Sequence, residues 1–361
     1  MEAQTGGRKS GRSPFLIQEM VDSIIECLSQ SSADLHSCAL ISKSWVAKAQ
    51  SHIFWTVSFS PYESVEKYER CLMGLQTYPH LSRFVRHIII SVNSRWLAPV
   101  SSMAFPSLQE ITIRSGSSRY QIVQLLPIMM ETVPTIQAYL RSPSMKRVNF
   151  NGYFSIAVLD TYFDDCSSNI TSLGLDLRHI AHPVETTAVT TRRQPKISLS
   201  HLALLNSQIM SHWLLRPRCA FAVSHLRSVE TDARTWFRLQ ESLTPSLPSL
   251  VSLVLTNFAD ERYLDLGTLP ALRLLDVCTE PSHTRLMHAL LRPPAHLTLE
   301  IITIRIDIPI YTDEYAYSFD IFTKDAEALV ALHPIRRLDV HYIGNDYKKE
   351  SMRSFFAADF V

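Results

Sequence analysis

Two histidines three residues apart, His179 and His182, follow closely on Asp176. Two imidazoles and a carboxylate are ligands that a zinc site uses. No further pair at ligand spacing accompanies them, so they read as surface histidines. Asp164–Asp165 and Asp313–Glu314 are adjacent carboxylates. Neighbours on a strand point to opposite faces, and on a loop they are hydrated, so neither pair is built as a general acid and base. The six cysteines, Cys27, Cys38, Cys71, Cys166, Cys219 and Cys278, include no Cys-x-x-Cys pair and sit in apolar surroundings. They read as reduced core residues and not as a disulfide frame or a zinc site.

Glycine is scarce. The chain has 9 in 361 residues, and Gly6, Gly7 and Gly11 fall at its beginning. Average usage of ~7% would give about 25. Loops that cradle phosphate need glycine so that backbone N–H groups can approach the anion. The sequence contains no Walker loop, no dinucleotide fingerprint and no Gly-x-Ser-x-Gly elbow. The expectation is therefore a protein that is not an enzyme and uses no cofactor or metal.

Bulk properties narrow the partners. Apolar residues make up 46% and charged residues 19%, a globular balance, and the formal net charge is +1. Such a chain has no field for gathering nucleic acid or an anionic membrane. No apolar stretch reaches the ~18 residues that would cross a bilayer. Arg8, Lys9 and Arg12 lie among Gly and Ser with no secretory apolar segment behind them. Residues 1–12 are expected to be a solvated, disordered tail, with a nuclear address as the alternative reading. The expected compartment is the cytoplasm or nucleus.

The elements come next. Met20, Val21, Ile24, Ile25 and Leu28 recur on one face of an amphipathic helix, with Glu19, Asp22, Ser23 and Glu26 opposite. Asp34 is the expected cap of a second helix carrying Leu35, Cys38, Ala39 and Ile41. A third is expected from Ser44 to Ala49, with exit through Ile53, Phe54 and Trp55. Three helices this short make a core that is marginal alone.

The run from Phe15 to Leu28, containing Glu19-Met20-Val21-Asp22 and Ile24-Ile25, is followed by Leu35-His36-Ser37-Cys38-Ala39-Leu40-Ile41-Ser42-Lys43-Ser44-Trp45. Together these resemble the F-box, especially as it occurs in fungal F-box proteins. The resemblance spans roughly residues 14–58, with Ile17 standing where the family has proline. It implies docking onto a Skp-type adaptor of a cullin-RING ubiquitin ligase. By position, Leu16, Ile17, Met20, Ile24, Leu40 and Ile41 would supply apolar contact, with Trp45 packed beneath them. The alternative is that these residues form the bundle's own core, and that reading is preferred for Ile25, Leu28, Cys38 and Trp45.

Beyond residue 60 an apolar triplet recurs at x, x+3 and x+5: Val85-Ile88-Ile90, Leu108-Ile111-Ile113, Met145-Val148-Phe150, Ile170-Leu173-Leu175 and Leu199-Leu202-Leu204. It continues as Leu226-Val229-Thr231, Leu250-Leu253-Leu255, Leu272-Leu275-Val277, Leu299-Ile302-Ile304 and Ile335-Leu338-Val340. Most starts are separated by close to the ~20–29 residues of a leucine-rich repeat. Proline precedes several copies, as in Phe105-Pro106, Leu247-Pro248 and Leu269-Pro270, which suits a turn feeding a strand. Helices are expected between triplets, for example over Tyr120–Met130 and Thr284–Leu291. The asparagine of a regular ladder at x+8 occurs only as Asn93.

The expected fold is α/β: a tail over 1–12, a three-helix F-box-like module over 13–60, and an irregular leucine-rich-repeat-like solenoid with a curved parallel sheet over 61–361. Alternation along each strand would put x+2, x+4 and x+6 on the concave face. The partner-binding candidates there are Glu110, Arg114, Arg147, Asn149, Asp176, Glu230, Asp232, Arg305, Arg337 and Asp339. That face reads as polar, with both signs of charge. The expected function is a substrate receptor of a Skp-cullin-F-box ligase that binds a protein through its repeats. The alternative is a repeat-based interaction scaffold outside any ligase.

Overall fold

A computed structural model describes residues 14–60, 64–92, 94–115, 122–179, 197–205, 213–214, 216, 219–258, 264–279, 290, 299–308, 335–344 and 351–356. The expected tail, Asn93, His182 and Asp313–Glu314 lie outside them, as does the expected helix over 284–291 apart from Leu290. The chain is α/β and divides into two compact units, residues 1–90 with 96–109 and residues 91–95 with 110–361.

The first unit begins with three helices, α1 (Pro14–Cys27), α2 (Ser32–Ile41) and α3 (Lys43–Ile53). Val21, Ile25, Leu35, Cys38 and Ala49 form their core, with Leu28, Ala39, Trp45 and Ile53 packed against it. The cap of α2 is Ser31, whose side chain accepts the Asp34 N–H. This corrects the expected cap: Asp34 sits in the first turn, where a carboxylate favours the positive end of the helix. The third helix also runs four residues past Ala49. Lys48 and Glu26 tie α3 to α1 across 2.6 Å. Strand β1 (Thr56–Phe59), helix α4 (Val65–Thr77) and strand β2 (His87–Ser91) follow. The two strands pair in parallel, Val57 opposite Ile88 and Phe59 opposite Ile90, all four buried. Helix α5 (Ser94–Ser101) comes next in the chain.

The second unit carries β3 (Glu110–Arg114), α6 (Ile122–Leu140), β4 (Arg147–Tyr153), α7 (Ile156–Tyr162), β5 (Ser172–His179), β6 (Ile197–Ser198), β7 (His201–Leu205) and β8 (Phe221–Ala222). It continues through β9 (Ser228–Asp232), α8 (Ala233–Leu243), β10 (Ser252–Phe258), β11 (Leu274–Thr279), β12 (Ile301–Ile308), β13 (Arg337–Gly344) and β14 (Ser351–Phe356). Apart from β6 and β8, which pair with each other, these strands form one sheet in chain order. It is parallel from β3 to β13, and β14 closes it antiparallel to β13. The helix expected over Tyr120–Met130 is α6, which extends ten residues further, to Leu140.

The register explains why the triplet is so regular. The x+3 residues stand in one row, Ile111, Val148, Leu173, Leu202, Val229, Leu253, Leu275, Ile302 and Leu338. The x+5 residues form a second row, from Ile113 through Phe150, Leu175, Leu204, Thr231, Leu255, Val277 and Ile304 to Val340. Every triplet residue in the ten copies is buried. The turns recur too. The N–H groups of Thr171 and Ser172 share the Lys146 carbonyl, Ser200 and His201 share that of Thr171, and Arg227 and Ser228 share that of Ser200. The same pairing continues at Val251, Arg273, Glu300 and Arg336. The starts of β5, β7 and β9 to β13 are thus each fixed by the preceding repeat, so a one-residue slip there would cost two bonds and turn the apolar row outward.

Aromatic rings fill one end of this interior. Phe150 meets Phe154, Phe163 and Tyr162 at centroid distances of 5.1, 5.5 and 5.8 Å. Phe163 stacks edge-on against Phe221 at 4.6 Å, and the Trp213 indole N–H donates to Asp160 at 2.7 Å.

Candidate functional site

Two surfaces hold the residues singled out from the sequence. The first lies on α1 and α2. Met20 is 65% exposed, Ile24 44%, Leu40 87% and Ile41 62%. Met20 and Ile24 are one helical turn apart on α1, and so share a stripe, while Val21 and Ile25 turn into the core. The helices therefore close their small interior without these four side chains. Trp45 is half-buried and packs against the core. Leu16 and Ile17 lie in the first turn of α1, and their side chains are outside the described residues. Leaving a large apolar side chain in water forgoes about 1.5–3 kcal/mol of burial. That free energy is available to whatever covers it.

The second surface is the open face of the second unit's sheet, where x+2, x+4 and x+6 point. Arg147 pairs with Glu110 at 2.8 Å, and the Asn149 amide donates to the same carboxylate at 3.0 Å. On β5, Gly174 keeps the face low, because a Cβ there would run into Asn149 Oδ1. Arg114 and Asp176 are half-buried in one row, with Asn151 between them in the register. Further along, Arg305 pairs with Asp276 at 2.5 Å and Arg337 with Asp339 at 2.7 Å. Asp339 is 5% exposed, so its carboxylate is held by its neighbour rather than offered outward. Burial raises the Asp276 carboxyl above its ordinary value, while Arg305 and His341 pull it down. Asp232 is taken up differently: its side chain caps α8, accepting the Thr235 N–H at 2.9 Å and the Thr235 hydroxyl at 2.6 Å.

This face is not uniformly polar. Val254, Leu274 and Ile301 stand at x+4, x+2 and x+2 of their copies, on adjacent strands, and Leu274 is 38% exposed. They were legible as apolar residues at outward positions of the alternation. Glu230 neighbours Val254 in the register. His201 is held below its ordinary pKa by burial; Glu230 opposes that shift and Arg147 adds to it.

Asp165 is exposed on a turn with φ of 69° and, among the described residues, reaches Arg141 at 3.6 Å. Among the described residues no cluster of His, Cys, Asp and Glu could hold a metal, and His182 lies outside them. The cysteines are free. Burial pushes the Cys71 thiol up to about 11 and the Cys219 thiol up to about 12, so both are protonated and poor nucleophiles at neutral pH. Cys27 departs from the expected core placement and is exposed on α1, where its neighbours along the helix face water. Among the described residues no helix is long and apolar enough to cross a membrane. No protein-family model matches the chain, and no curated protein is similar to it.

Proposed function

We propose that this chain is an F-box-type substrate receptor: α1–α3 dock on a Skp-type adaptor of a cullin-RING ubiquitin ligase, and the sheet face holds the protein to be modified. The observation that carries the reading is the exposed set of Met20, Ile24, Leu40 and Ile41 above a core complete without them. These are positions at which the resemblance expects adaptor contact. We read the second unit as a leucine-rich-repeat-type solenoid. Its unbroken x+3 and x+5 rows and its recurring shared-carbonyl turns support that reading.

In this reading the chain performs no bond-making step and needs no cofactor. It acts by proximity, since holding a substrate beside the ligase raises their effective concentration. The compartment consistent with it is cytoplasmic or nuclear. Co-purification with a Skp-type adaptor is the test. A stable one-to-one complex is expected. A folded chain that fails to hold the adaptor would leave an interaction scaffold outside any ligase as the account of the sheet face.

A further inference from the structure

We propose that the open face of β9–β12 grips its partner as a bipartite site: a lysine or arginine side chain of a protein segment sits at Glu230, and an apolar side chain of the same segment rests on Val254, Leu274 and Ile301. This rests on the reading of the sheet face as the receptor surface and specifies the chemistry of what it takes.

The apolar half follows from the register. Leu274 and Ile301 are direct neighbours on β11 and β12, and Val254 stands one row along on β10. Polar residues occupy most outward positions elsewhere on this face, so the three form a patch with a charged rim. A contact whose apolar centre is shielded by polar surroundings is where binding energy concentrates.

The charged half follows from what is left unmatched. Arg305 is engaged by Asp276, Arg337 by Asp339, and Arg147 by Glu110. Asp232 is committed to the start of α8. Glu230 is different, since its carboxylate makes no hydrogen bond or ion pair among the described residues. His201, which interacts with Glu230, is held below its ordinary pKa chiefly by burial, which weakens it as a countercharge. An acidic partner residue would meet repulsion at Glu230 and find these three arginines already engaged. A basic one gains an uncompensated carboxylate. Glu230 and Leu274 lie two strands apart, about 10 Å at ~4.8 Å per strand, which one short peptide segment spans.

The test is selection of a displayed library of random peptides on the immobilised full-length chain. The expected result is enrichment of peptides carrying a lysine or arginine and an aliphatic or aromatic residue at a recurring spacing. Their binding should weaken about tenfold in Glu230→Gln and in Leu274→Thr, and should weaken with added salt in the wild type only. Unchanged melting temperatures of the two variants establish that both remain folded. Acid-rich winners, winners indifferent to both substitutions, no enrichment over the bare matrix, or a dimer of the chain abolished by Leu274→Thr would each overturn the site. The same preparation is presented to a Skp-type adaptor. A chain that binds the adaptor but selects no such peptides loses this site and keeps the adaptor reading; one that selects them without the adaptor does the reverse.

Discussion

The three-helix module and the parallel sheet use apolar residues in opposite ways. In the sheet every triplet side chain is inside, and the face left open carries charges that are mostly matched in pairs. In the module a handful of residues closes the core, and large apolar side chains remain in water. A sheet whose strands are each pinned by the one before can tolerate a varied outer face, because the fold does not depend on it. A bundle this small leaves in water apolar surface that its own core does not use. On the proposed reading, the difference separates a scaffold that presents specificity from a module that presents affinity.

Truncations to alanine in the two regions should therefore differ most. Phe150→Ala removes a ring packed against Phe154, Tyr162 and Phe163 in a sealed interior, and is expected to cost about 3–5 kcal/mol. Leu40→Ala, at 87% exposure, should leave the denaturation midpoint within about 0.5 kcal/mol of wild type. Comparable losses for both would erase the contrast.

A smaller effect of opposite sign tests how strictly apolar the sheet interior is. Thr231 is the one polar member of the x+5 row, fully buried, and its hydroxyl has no hydrogen-bond partner among the described residues. An unsatisfied buried hydroxyl costs about 1–3 kcal/mol, so the near-isosteric Thr231→Val should stabilise the chain by about 1 kcal/mol. Chemical denaturation measures it, and a loss of stability would mean that the hydroxyl is satisfied in solution.

The gentlest probe is pH. His201 is depressed in the fold, chiefly by burial, so the unfolded chain binds more protons once pH drops through the ordinary histidine value near 6.5. Its contribution is fully present above that value and declines as pH falls toward the lower folded value. His201→Gln should flatten the acid side of the stability profile there, and an unchanged slope would place the titration elsewhere.

What could be read from the sequence was what periodicity controls. The x, x+3, x+5 spacing located thirty buried positions, because a parallel strand covered on one face must alternate. The exposed Met20, Ile24, Leu40 and Ile41 were likewise chosen by position in a motif. Local competition hid the rest. Ser31 displaced Asp34 as the cap of α2 because its side chain reaches the N–H three residues on. Asp232 left the open face for the same reason, since α8 starts immediately after β9. Strand β1 repeats the pattern as Phe54, Val57 and Phe59, yet it follows a helix directly and its exposed Trp55 blurs the alternation. The apolar patch at Val254, Leu274 and Ile301 is masked in the sequence by the polar and charged residues at most other outward positions.

The central claim is that the module's exposed side chains are an adaptor surface. Titration of a purified Skp-type adaptor into the full chain and into a Leu40→Lys, Ile41→Lys variant, whose charges suit the C-terminal end of α2, tests it most directly. Both substitutions sit on exposed positions of α2, so the variant should melt with the wild type. The account predicts binding by the wild type and a loss of roughly 100-fold or more in the variant, the scale of uncovering two large apolar side chains. No binding by the folded wild-type chain, or equal binding by the variant, would contradict it.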